Sequence, residues 1–157
     1  MKTIVVYFTK HGSSRNLAQQ IAKRLACESI DVGDLKELDA DQILFISATY
    51  MGMIHKQIKE WIMRLPDDKR IGFLKVGLGS DDVEKVLEEN LHEYKHKISF
   101  YRAAGGCVQP DKLNFFEKII FKIVNHQAKL IQPGDKQRVY SFLNESEIEA
   151  FIKDAAQ

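Results

Sequence analysis

Cysteine is scarce in this chain: only Cys27 and Cys107 occur in 157 residues, far apart and in no C-x-x-C pair. That argues against a disulfide framework or a clustered metal site and suits a reducing compartment. A surplus of one charge is also lacking, with 23 basic against 22 acidic side chains and a formal net charge of +1. The chain therefore has no cationic excess to neutralise a nucleic-acid backbone, and no acidic excess to steer it towards basic partners. No apolar run approaches the ~20 residues of a membrane-spanning helix. Met1-Lys2-Thr3-Ile4 leads straight into an apolar strand without the pattern of a cleaved leader, so a cytoplasmic location is expected. Linkers, repeats and low-complexity tracts are absent, and the simplest organisation is one domain over residues 1–157.

Several motifs are missing too. Neither G-x-G-x-x-G nor G-x-x-x-x-G-K-[ST] is present, which disfavours the two usual owners of a phosphate loop after a first strand. No Cys-x5-Arg loop exists, and aspartates do not cluster at the ends of the central strands, so phosphatase and phospho-receiver chemistry are disfavoured. His55, His92, His96 and His126 lack mutual metal-ligand spacing, and no metal is expected.

What is present is an alternation of apolar strands and amphipathic helices. Ile4 to Phe8 reads as a buried strand, followed by the polar loop Thr9-Lys10-His11-Gly12-Ser13-Ser14 and a helix from about Ser13 to Leu25. A loop of this kind gathers free amide groups and hydroxyls at the positive end of a helix, which suits a phosphate; the same residues could equally serve only as a helix cap. Glu28–Val32 reads as an edge strand and Gln42–Ser47 as a central one, ending in Ser47-Ala48-Thr49-Tyr50-Met51-Gly52-Met53. A helix is expected from about His55 to Leu65 and a strand over Arg70–Leu78. Asp81 and Glu84 open a helix that runs from Asp82 to about Tyr94. Lys97–Ala104 is the next strand and ends at Gly105-Gly106. A helix over Phe115–Leu130 follows, with Phe116, Ile119, Ile120, Ile123 and Val124 on one face and Phe115 and Phe121 off it. A short strand over Gln137–Phe142 and a helix capped by Asn144 close the chain.

This alternation implies right-handed crossovers and a parallel sheet covered on both sides, with ligands at the carboxyl ends of the strands. The helix from Phe115 is unusually apolar. It reads first as core packing and cover for a pocket, and second as a docking face for a quinone, a membrane surface or a second subunit.

The run Tyr7-Phe8-Thr9, then Gly12, Ser14 and Ala18, resembles the signature of the flavodoxins. Within them the chain is most similar to the menaquinone-dependent protoporphyrinogen dehydrogenase group. The likeness covers the opening strand, Ser47–Gly52, the small-residue end of the fourth long strand and the helix Asn114–Ile123. It implies a three-layer α/β fold with a five-stranded parallel sheet of order 2-1-3-4-5. The implied cofactor is FMN, its phosphate on Thr9, Lys10, His11, Gly12, Ser13 and Ser14. Its ring would lie beside Ser47, Ala48, Thr49, Tyr50, Met51 and Gly52, and its pyrimidine edge near Ala104, Gly105 and Gly106.

In that reading Tyr50 stacks on or edges the ring, and Gly52 lets a peptide turn over with the redox state. No side chain acts as a catalytic acid or base, and Cys107 is a packing residue. The implied activity is electron transfer between a reductant and a quinone, porphyrinogen or protein acceptor. The other reading is a non-redox ligand- or partner-binding module on the same fold.

Overall fold

A computed structural model describes residues 1–78, 82–129, 131 and 139–157. Five parallel strands form the sheet: β1 (Thr3–Phe8), β2 (Glu28–Asp31), β3 (Gln42–Tyr50), β5 (Arg70–Val76) and β6 (Ile98–Ala103). They lie in the order β2-β1-β3-β5-β6, and a two-residue antiparallel strand, β4 (Met53–Ile54), is appended to β3. The α/β class and the order of the five long strands are as expected, while β4 makes the sheet six-stranded.

Alternation along each central strand sends its side chains to two separate cores. Val5 and Tyr7 of β1, Leu44 and Ile46 of β3, and Leu74 and Val76 of β5 pack with α1 (Ser13–Arg24) and α5 (Glu145–Ala155). The intervening Val6, Ile43, Phe45, Ile71 and Phe73 pack on the other face with α2 (Lys56–Arg64) and α3 (Val83–Leu91). Both faces of these strands are thus covered, which is why their sequences read as unbroken apolar runs.

After β6 the chain leaves the sheet. β7 (Cys107–Val108) pairs antiparallel with β8 (Tyr140–Ser141), and α4 (Phe115–Ala128) lies between them in sequence. The strand expected over Gln137–Phe142 is therefore shorter and belongs to a separate two-stranded sheet; Gln137 and Arg138 lie outside the described residues. Leu130 and Asp81 also lie outside them. The observed cap of α3 is Asp82, whose carboxylate accepts the Lys85 amide at 3.0 Å. The helix ends at Leu91 rather than near Tyr94, and His92–Lys97 continues as a 3-10 turn.

Two further corrections concern the carboxyl end of the sheet. β3 runs on to Tyr50 instead of stopping at Ser47, because Thr49 and Tyr50 pair with Ile54 and Met53 across a hairpin. In α4 the expected inward face is largely the outward one: Phe116, Ile119 and Ile123 are exposed, as is Phe115. Among the described residues no helix is long and apolar enough to cross a membrane.

Candidate functional site

The loop after β1 is shaped by Gly12, which takes up a left-handed conformation (φ 96°). A side chain there would be strained although nothing crowds it. The Gly12 amide donates to Thr9 Oγ1 at 2.8 Å, closing the loop. Gly12 also stands at the cap of α1, so no side chain accepts from the helix's opening amides, and the first turn carries no acid. The first intrahelical bond is made by the Asn16 amide to the Gly12 carbonyl. The amides before it point towards the loop, as at any helix start.

Inside this turn Ser14 is fully buried, and its Oγ has no hydrogen-bond partner. A buried hydroxyl without a partner is costly. A bound anion would satisfy it together with the amides and the helix dipole.

Lys10 and His11 turn away from the helix start towards α4. Lys10 Nζ lies 2.8 Å from Glu117 Oε1, and His11 Nε2 lies 2.7 Å from Glu117 Oε2. Glu117 is 7% exposed. Burial pushes its carboxyl up, but the hydrogen bonds from Lys10 and His11 and their charges outweigh this and hold it below the ordinary carboxylate range. Lys10 also sits over the Tyr50 ring, 4.9 Å from its centroid. Loop, hairpin and cap helix thus meet at one lysine.

The hairpin turn consists of Met51 and Gly52, both with positive φ (51° and 76°), the combination that a tight two-residue connection requires. Asn90 of α3 fastens it by accepting the Ile54 amide at 3.0 Å and donating to the Gly52 carbonyl at 2.8 Å. A turnover of the Gly52 peptide would have to break the second of these bonds. Ser47 is buried and donates to the Ala48 carbonyl at 3.2 Å. Ala48 and Thr49 are half-buried, and Tyr50 and Met51 are exposed at the rim.

Ala104, Gly105 and Gly106 are woven into the base of the excursion. The Gly77 amide donates to the Gly105 carbonyl at 2.8 Å, and the Phe142 amide to the Gly106 carbonyl at 2.7 Å. A Cβ on Gly105 would come within 2.0 Å of the Phe142 carbonyl oxygen, and one on Gly106 within 2.9 Å of Gly77 Cα. Chain packed on chain accounts for both glycines.

Between these parts lies an apolar cavity of about 160 Å³ whose lining includes Tyr50, Leu78, Cys107, Ile120, Phe121 and Val124. The sequence places Tyr50 here and reads the helix of Ile120 and Val124 as cover for a pocket, but it does not point to Leu78 or Glu117. Ile120, Phe121 and Val124 share one face of α4 with the buried acid Glu117, and Leu113, just before the helix, lines the same cavity. The Asn114 side chain caps the helix by accepting the Glu117 amide at 2.9 Å, which leaves the Glu117 carboxylate to Lys10 and His11. Behind the loop, His55 stacks on Phe8 with ring centroids 3.7 Å apart. Burial pushes its imidazole down, against the pull of Asp31.

Residues 4–132 match the flavodoxin domain family. No curated protein matches the chain. Among solved structures, a flavoprotein from Bacteroides uniformis aligns with a TM-score of 0.54 at 14% identity, over 77% of this chain and 97% of that one. The Trp repressor binding protein from Bacillus subtilis aligns at 0.50 and 15% identity, over 85% and 100%. The Flv1 flavodiiron core from Synechocystis aligns at 0.52 and 15% identity over 67% of this chain; the match spans 30% of that longer protein. These similarities concern the fold.

Proposed function

The chain belongs to the flavodoxin domain family, and from that premise we propose that it binds FMN at the carboxyl end of its sheet and uses it in oxidation and reduction. The observation that carries this reading is the buried Ser14 hydroxyl without a partner, at a helix start whose cap offers no side-chain acceptor. The phosphate would rest on that hydroxyl, on the Ser13 hydroxyl and on the amides of residues 13–15. Thr9 would close the loop around it. Lys10 and His11, held by Glu117, flank the loop rather than line it.

The ring would lie between Tyr50 and the cavity under α4, where Leu78, Ile120 and Phe121 exclude water. When bound, the flavin supplies the electron-accepting chemistry, and the protein orients it and sets its surroundings. Aromatic stacking by Tyr50 is worth about 0.5–1.5 kcal/mol beyond area burial. Ala104, Gly105 and Gly106 support the floor of the site through Gly77. The apolar lining favours a lipophilic acceptor, and the resemblance to menaquinone-dependent protoporphyrinogen dehydrogenases makes a quinone the first acceptor to try and a porphyrinogen the first donor.

FMN titrated into flavin-free protein should lose fluorescence and raise the melting temperature, and riboflavin should bind more weakly. The Thr9→Ala, Ser14→Ala double variant should weaken FMN roughly tenfold or more while leaving riboflavin little changed, since the charge-assisted bond lost at Ser14 is worth about 1.5–3 kcal/mol and the loop also loses its closure by Thr9. Ser14→Ala alone should leave the flavin-free protein as stable as the parent, because it removes an unsatisfied hydroxyl. Parental FMN affinity in the double variant would reduce the loop to a helix cap.

A further inference from the structure

The outward half of α4 is apolar and cationic, with no carboxylate. Phe115, Phe116, Ile119 and Ile123 are 73%, 72%, 41% and 53% exposed. At about 100° per residue they form one stripe of the helix surface. Lys118 and Lys122 are exposed along one edge of it and His126 is exposed within it, while Lys112 precedes the helix and Lys129 caps its end. Glu117 is the helix's one acid; it faces inward, and its charge is matched by Lys10 and His11. Asp111, in the turn before, is the nearest exposed acid in sequence. In a chain of net charge +1 this is local segregation of charge rather than a general basic excess.

We propose that α4 docks the protein peripherally on an anionic lipid bilayer. Phe115, Phe116, Ile119 and Ile123 enter the boundary between headgroups and acyl chains, and the lysines lie over the headgroups. Large apolar side chains beside a row of lysines on a short helix form the pattern of an interfacial helix. A second copy of the chain fits less well, since pairing this face with itself sets lysine rows near each other with no acid on the face to answer them. The excursion also contributes to neither core among the described residues, so α4 can press on a surface without disturbing the sheet. The proposal is independent of the flavin reading.

The full chain, with and without added FMN, is sedimented with vesicles of phosphatidylcholine alone and of phosphatidylcholine mixed with phosphatidylglycerol. Binding should be roughly tenfold or more stronger to the anionic vesicles and should fall as salt rises. Phe115→Gln with Phe116→Gln, and separately Lys118→Glu with Lys122→Glu, should each weaken that binding by a similar factor. Both pairs are exposed, and unchanged far-ultraviolet dichroism and melting temperature will show that the helix survives. Equal binding to both vesicle types, no binding, or binding that survives either pair of changes would overturn the proposal. So would dimerisation abolished by the same variants, which gives the face to a second copy. Retention on polyglutamate without vesicle binding would give it to an acidic protein.

Discussion

At the scale of single residues, Glu117 sets the electrostatics of the loop. Its carboxylate holds Lys10 at 2.8 Å and His11 at 2.7 Å, so neither side chain is turned towards a phosphate at the helix start, which meets hydroxyls, amides and the helix dipole. Glu117→Gln keeps the shape and removes the charge. Lys10 and His11 are then released towards the phosphate, so FMN affinity should rise a few-fold and become more sensitive to salt. The fold should lose about 1 kcal/mol at neutral pH, discounted because Lys10 is 45% exposed.

The pH dependence of that loss has a definite sign. A carboxyl held below its ordinary value of 4.5 stabilises the fold fully above that pH, and the contribution fades as pH falls through the folded value. Urea unfolding should therefore show parent and variant converging as pH drops below about 4.5. A gap that stays constant there would mean that Glu117 acts through packing alone.

At the scale of elements, Asn90 connects a helix to the hairpin that carries Tyr50. It is 8% exposed, accepts the Ile54 amide and donates to the carbonyls of Gly52 and Val86. Asn90→Leu fills the space but leaves backbone groups unpaired, so it should cost about 1–3 kcal/mol in urea unfolding. It should also weaken flavin quenching more than phosphate anchoring, because Tyr50 loses its fixed position while the loop after β1 is untouched. Equal stability in both proteins would show that the hairpin holds itself.

The same hairpin shows where the sequence stops being legible. The long strands were readable because burial on both faces leaves continuous apolar runs, and the phosphate loop because Gly12, Ser13 and Ser14 sit where a strand ends and a helix begins. Met51-Gly52 carries little of the usual Asn-Gly turn signal, so the extension of β3 was hidden. In α4, apolar residues occupy nearly every side of the helix. Periodicity alone could not reveal that the side bearing the only acid points inward.

At the scale of the whole molecule, two bodies of structure do different work. The sheet and the helices on its two faces form cores that, among the described residues, contain nothing between Gly105 and Phe142. The excursion is fastened at its base by the Phe142 amide on the Gly106 carbonyl at 2.7 Å and the Asn144 amide on the Ala104 carbonyl at 2.8 Å. From there it lays α4 over the loop after β1 and over Tyr50. Because its two ends leave and return side by side, replacing residues 107–141 with a short glycine-serine bridge requires no rearrangement of the sheet.

The shortened protein should still unfold in one cooperative transition, as small cores of this kind do. Its phosphate loop should persist, but with the apolar roof gone the ring should be exposed to water. FMN should then bind with an affinity close to that of its phosphate portion alone, and flavin fluorescence should be less quenched. Both effects are read in a single fluorescence titration beside a denaturant curve. Loss of cooperative unfolding would show that the excursion is part of the core. Unchanged FMN affinity in a well-folded shortened protein would show that α4 does not cover the ring at all.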